Sequence, residues 1–174
     1  MLAGIFVIMF AAQGVTLGPA PRPAPVQRSS DASVLGAIGA EDANEIEAAK
    51  LATSKASNSD VKAFATLLLH DHQQSLSSGT NLAKRFSIVR LLPSDSMLTQ
   101  AHKQHMIELN VLSGTAFDKA FMQFEVDSHK AALSRDSALM ARAVRPQVKE
   151  FVRQLIPVHA THQDTGVKWL AAHP

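Results

Sequence analysis

The stretch VKAFATLLLHDH, Val61 to His72, returns later in the chain as VKEFVRQLIPVH, Val148 to His159. Val61, Lys62, Phe64, Leu68 and His72 recur in register as Val148, Lys149, Phe151, Leu155 and His159, at an offset of 87 residues. Steps of three and four residues put Val61, Ala65, Leu68 and His72 on one stripe, and likewise Val148, Val152, Leu155 and His159. Each copy therefore predicts a long amphipathic helix that carries a histidine on its core side. Imidazole is costly to bury, so such a position is either a hydrogen-bonded core group or a metal ligand.

Working outward, Leu35, Ile38, Asp42, Glu45, Ile46, Ala49 and Thr53 share one face of a first helix between Asp31 and Ser57. The Ser57-Asn58-Ser59-Asp60 cluster supplies turn and cap chemistry, and the second helix follows as far as Phe86. Pro93 and Ser94 end one element and cap a shorter helix, about 95–112, that contains His102 and His105. Thr115-Ala116-Phe117-Asp118 has the spacing of a capping box and opens a third long helix to Ala143. Pro146 starts a fourth, which reaches Ala172 with Pro157 as a kink. The expected fold is all-α: a ferritin-like four-helix bundle of two antiparallel hairpins, with a short extra helix in the crossover.

The chain has 174 residues and a net charge of +2, and its Lys and Arg form no basic tract, which argues against nucleic acid as a partner. Leu2 to Ala12 is an apolar run too short to span a bilayer, although the basic residues that usually precede a secretory leader are missing. Residues 1–14 are read as a signal peptide, 15–30 as a Pro-rich tether and 31–174 as one helical domain. The expected location is outside the cytoplasm, in the periplasm or cell envelope, with no transmembrane span in the mature protein. Cysteine is absent, so no lipobox is present.

On the third helix Asp118, Met122, Glu125, His129, Ala132 and Asp136 form a polar stripe within an apolar face. On the fourth, His159 and His162 point the same way. Residues equally distant from a tight turn lie at similar heights, which levels Glu45 with His72, His129 with His159, and Glu125 with His162. Glu45, His72, Glu125, His129, His159 and His162 thus form a candidate mid-bundle site for a divalent transition metal or a small ligand, with N and O donors suited to Zn, Cu, Ni or non-haem Fe. The competing reading is a polar core that satisfies itself, in a structural protein whose partner is another envelope component. His70, His102, His105 and His173 are read as surface residues. Arg145, Lys149 and Arg153 are read as a solvated basic stripe, and Met97, Met106, Met122 and Met140 as core filler. No Ser or Cys nucleophile accompanies the histidines, so no catalytic residue is assigned.

EIEAAKLA (Glu45 to Ala52), SDVKAFATLLLHDH (Ser59 to His72), LSGTAFDKAFMQFEVDSH (Leu112 to His129) and LIPVHATH (Leu155 to His162) together resemble the domain of unknown function family 4142. The resemblance covers about 31–170. It implies an exported, ferritin-like helical protein, in a family often labelled as outer membrane, and bears on fold and compartment more than on activity; a role in envelope stress or metal handling is the expectation drawn from the polar cluster. The outer membrane label finds no support in barrel strands or a lipid anchor. The family pattern points to Glu45, His72, the Phe117-Asp118 pair, His129 and His162, whereas the internal repeat favours His159 as the partner of His72. Glu-x-x-His occurs on no helix, so the di-iron ferroxidase site is not expected.

Overall fold

The computed structural model describes residues 30–92 and 97–174, without the side chains of 97–99. The expected leader, most of the tether and the Pro93-Ser94 boundary lie outside them. The described residues form five helices and no strand: α1 (Ser30–Lys55), α2 (Ser59–Arg85), α3 (Met97–Val111), α4 (Gly114–Arg142) and α5 (Pro146–Ala172). No helix among them is long and apolar enough to cross a membrane. α1 packs closely along α2, and α4 along α5, so each pair is a hairpin. The two hairpins meet more sparingly through α1 against α4 and α2 against α5, while α3 lies on α1 and α4.

Two apolar clusters hold the hairpins together. One gathers Ala48, Ala52, Phe64, Leu68, Phe117, Phe121 and Met122 near the α1–α2 turn. The other gathers Val34, Leu35, Ile38, Leu139, Val148, Phe151 and Leu155 near the α4–α5 turn. Burial of a side chain such as Leu68 or Phe121 contributes about 1.5–3 kcal/mol. Met106 and Met122 pack in the first cluster and Met140 in the second, as core filler should. On each long helix the polar residues lie between the segments that feed these clusters, which makes the middle of the protein polar.

The turns are closed reciprocally. Asp118 of α4 accepts hydrogen bonds from Ser57 N (3.0 Å), Asn58 N (2.9 Å) and the Ser57 hydroxyl, all in the α1–α2 turn. Asp31 of α1 accepts from Val144 N (2.7 Å), Arg145 N (3.4 Å) and the Arg145 guanidinium (2.7 Å), all in the α4–α5 turn. Asp31 and Asp118 are separated by the repeat offset, and so are the turn residues they hold. The repeat is therefore visible in the contacts as well as in the sequence. Two expectations change here. The capping box at Thr115–Asp118 does not form, because α4 starts at Gly114 with Ser113 as N-cap and Asp118 is engaged across the molecule. Arg145 is no member of a solvated stripe, because Asp31 is fully buried and needs a counter-charge.

Local chemistry sets the ends. Asn58 Oδ1 accepts from Asp60 N at 2.8 Å and Val61 N at 3.3 Å, which satisfies two free donors at the start of α2. Gly114 opens α4 at φ +58°, a conformation that suits glycine. Gly36 admits the chain beyond α2, since a Cβ there would lie 1.8 Å from the Leu91 carbonyl oxygen. α5 is helical throughout, across Pro157.

Asp118→Ala should destabilise the protein by about 1–3 kcal/mol in urea titration, because it leaves the part-buried N–H groups of Ser57 and Asn58 without their acceptor. For Asp31, burial raises the carboxyl pKa, but hydrogen bonds from Val144 and Arg145 and the Arg145 charge outweigh it and hold the group below its ordinary 3.8. Its stabilisation is then complete above that value and is lost as pH falls through the lowered native pKa. Asp31→Asn should remove this part of the acid dependence.

Candidate metal centre

All six residues singled out in the sequence are buried and lie between the two apolar clusters: Glu45 on α1, His72 on α2, Glu125 and His129 on α4, His159 and His162 on α5. They do not form one equivalent shell. The ring nitrogens of His72, His129 and His162 come within 4.8 Å of one another, and so do donor atoms of Glu45, Glu125 and His129. His129 belongs to both groups. His159 stands beside them, its ring centroid 5.9 Å from that of His72 and 5.6 Å from that of His129.

The outer partners of the rings decide what their inner nitrogens present. His72 Nδ1 is 3.0 Å from Asp42 Oδ1, His162 Nε2 is 3.0 Å from Asp71 Oδ2, and His159 Nδ1 is 2.7 Å from Asp136 Oδ2. His129 Nδ1 is 2.8 Å from the Glu125 carbonyl oxygen. Carboxylates and carbonyls only accept, so each of these nitrogens carries the proton and donates. In a neutral ring the other nitrogen is then a lone pair. His129 Nε2 and His162 Nδ1 are both left in this state, yet they face each other at 3.1 Å. His72 Nε2 is also buried and has no hydrogen-bond partner among the described residues. Three lone pairs converge, and a cation is the natural group to satisfy them. Two nitrogens bound to one tetrahedral ion at 2.0–2.1 Å stand about 3.3 Å apart, close to the spacing found here. Held from outside by carboxylates or a carbonyl, the rings have the support that metal-ligating histidines ordinarily have.

Electrostatics favour neutral rings at His129 and His162. Burial drives the His129 pKa down to about 3, with the Glu45 charge working against it. Burial also lowers that of His162, opposed by the hydrogen bond to Asp71. His72 goes the other way: burial disfavours its cation, but the Asp42 hydrogen bond and the charges of Glu45, Asp42 and Glu41 outweigh burial and raise its pKa. Burial and the neighbouring Glu45 push the Glu125 pKa well above the usual range. Burial works against ionised Glu45, yet the histidines, the Ser128 hydroxyl and Glu125 keep its pKa low.

The two halves of the protein supply different chemistry at matching positions. Asp42 and Ser75 on the first hairpin correspond, at the repeat offset, to His129 and His162 on the second. Both pairs touch, the Ser75 hydroxyl donating to Asp42 Oδ2 at 2.9 Å where His162 meets His129. The site is consequently lopsided, with two of the three close nitrogens coming from the second hairpin.

The sequence reading missed several contributors. Asp136 lay on the polar stripe of α4 and was legible there. Asp71 was hidden, because its partner His162 belongs to the other hairpin. His102 is a correction: it is buried, with Nε2 2.9 Å from Glu47 Oε2. α3 lies against α1, which covers a face that sequence spacing left outside the bundle. His105 packs on Phe124 and His173 stacks on Trp169, whereas His70 is exposed as expected.

Residues 17–168 match the family described as domain of unknown function DUF4142. The chain belongs to this family. No curated protein is similar to it in sequence. Solved structures share the fold of this DUF4142 chain at low identity. A DUF305 fragment from Deinococcus radiodurans has a TM-score of 0.72 at 13% identity, covering 87% of this chain and 99% of its own. A DUF305 protein from Streptomyces coelicolor has a TM-score of 0.71 at 14% identity, covering 83% and 92%. CopM in its Cu(II)-bound form has a TM-score of 0.69 at 18% identity, covering 83% and 97%. CopM has also been solved with Cu(I) and with Ag.

The depressed His129 pKa has a consequence for the metal-free protein. Between the ordinary value of 6.5 and about 3 the unfolded chain binds a proton at this residue that the native state refuses, so stability falls as pH drops below 6.5. His72 acts in the opposite sense, and its stabilisation is lost as pH rises through its elevated native pKa. Urea titrations at neutral pH and near pH 5 should therefore show a shallower loss on acidification for His129→Gln than for the unmodified protein.

Proposed function

We propose that this DUF4142 protein is an exported helical bundle that holds a divalent transition-metal ion at mid-bundle, in the service of envelope metal handling or stress. One observation carries the reading: His72, His129 and His162 converge through their inner nitrogens while acceptors hold their outer ones. These three are the proposed nitrogen ligands. Glu45 and Glu125 offer oxygen beside His129, and His159 is a further donor braced by Asp136. This N and O set suits Zn, Cu(II), Ni or Fe(II). That CopM was solved with Cu and Ag on the same fold is consistent with it.

The finer parts of the proposal are a ferritin-like layout without ferroxidase chemistry, a leader at residues 1–14, a tether at 15–30 and one domain from 31 to 174. Handling of the ion is its binding and release, and no catalytic residue is assigned. The apolar run of Leu2 to Ala12 supports export.

Elemental analysis of untagged protein prepared without chelator tests the reading, alongside the His72→Ala, His129→Ala double variant. Near-stoichiometric metal that disappears in the double variant is the expected result. Absence of metal in both proteins, with a less stable variant, would instead favour a self-satisfied polar core in a structural or interaction protein. Asp42→Asn, which loosens the brace on His72, should weaken metal binding roughly 10–100-fold without abolishing it.

A further inference from the structure

A second set of polar groups lies outside the three-histidine cluster, on the side where α3 covers α1 and α4. His102 is 7% exposed, and its Nε2–H donates to Glu47, which is itself exposed. The other nitrogen of the ring, Nδ1, is therefore a lone pair, and it is buried without a hydrogen-bond partner among the described residues. The ring borders a cavity of about 170 Å³ between α1, α3 and α4, whose walls include His105, Phe124, Asp127 and Glu45. Asp127 is exposed and marks the outer end, whereas Glu45 is 3% exposed and marks the inner one. Glu45 takes the Ser128 hydroxyl on Oε1, while Oε2 is buried and meets no geometric hydrogen-bond partner among the described residues.

Two residues that each carry a buried acceptor, His102 and Glu45, thus border a single cavity between the exposed Asp127 and Glu45, itself a member of the Glu45–Glu125–His129 group. Unpartnered acceptors of this kind are satisfied by a cation or by water, and the charges nearby favour the cation. Arg135 neutralises Glu41 in the same wall, which leaves Glu47, Asp127 and Glu45 to set the local field. The opposite groove, about 230 Å³ between α2 and α5, also reaches His72 and His159. Its remaining polar walls are the neutral Gln74, Ser75, Ser78 and Gln154, and its one carboxylate, Asp71, already serves His162.

If the mid-bundle cluster holds a divalent ion as proposed above, we infer that the α1–α3–α4 cavity is the port by which that ion arrives. His102 Nδ1 and Glu45 Oε2 are the first protein ligands to replace its waters. The cavity is large enough for a cation that keeps several waters, each of which occupies roughly 30 Å³. Glu45 then hands the ion to His129, with which it already shares a potential donor group. α3 is accordingly a wall of the entry path, and His102 acts on the rate of passage and not on the final site.

Stopped-flow uptake of Co(II) alone by the metal-free full chain tests this, together with the equilibrium affinity of each protein. His102→Phe removes the capture nitrogen, and Ala131→Trp obstructs the mouth from an exposed position that leaves the core intact. Ser78→Trp, equally exposed, obstructs the opposite groove. Uptake should slow about tenfold or more in the first two variants, with release slowed in step and affinity unchanged, while Ser78→Trp behaves as the unmodified protein. Wild-type uptake rates in both port variants, or slowing in Ser78→Trp alone, would overturn the port and leave the metal site standing. Failure of the unmodified protein to take up Co(II) would overturn both. Ala131→Trp decides the matter if His102→Phe does not fold.

Discussion

Each hairpin of this protein is closed by a carboxylate that belongs to the other. Asp118 holds the α1–α2 turn and Asp31 holds the α4–α5 turn, each by charge-assisted bonds to backbone N–H groups. Such bonds tolerate little displacement, so they set how far α1 and α4 slide past one another. That register decides which residues share a level at the middle of the bundle. With both ends tied and filled by apolar side chains, the polar residues of four helices are brought together where neither cluster can dilute them.

The chemistry of that middle layer follows from hydrogen-bond accounting. A buried imidazole needs a partner for each nitrogen, and a buried group left unpaired costs on the order of 1–3 kcal/mol. Here the outer nitrogens meet acceptors only, which turns the inner nitrogens of His72, His129 and His162 toward one another. An apolar layer would be cheaper if stability were the sole requirement. The arrangement is intelligible as a preorganised site, in which rigid neighbours hold donors in place before a ligand arrives.

The internal repeat explains the framework and fails at the site in an informative way. Matching positions keep the aspartate clasps and the His72 and His159 pair, yet they place Asp42 and Ser75 in one half against His129 and His162 in the other. One half therefore braces while the other supplies close nitrogens. The added helix α3 breaks the symmetry again, since it covers the α1 and α4 side and brings His102 against Glu47 of α1.

Much of this was legible in the chain. Stripes at three- and four-residue spacing identified the four long helices and their buried faces, because a helix displays its periodicity locally. Equal distances from the turns levelled the six polar residues, because a tight hairpin leaves little freedom of register. Spacing along one helix cannot say which nitrogen of a ring faces in, nor that Asp71 would meet His162, nor that Asp118 would leave its own helix start to cap another turn. Those outcomes depend on side chains from different hairpins approaching within hydrogen-bond distance. The helices, their inward faces and the family are therefore properties that short-range pattern carries. The hydrogen-bond partners of the histidines and the burial of His102 emerge on folding, because they are set by packing between segments far apart in the chain.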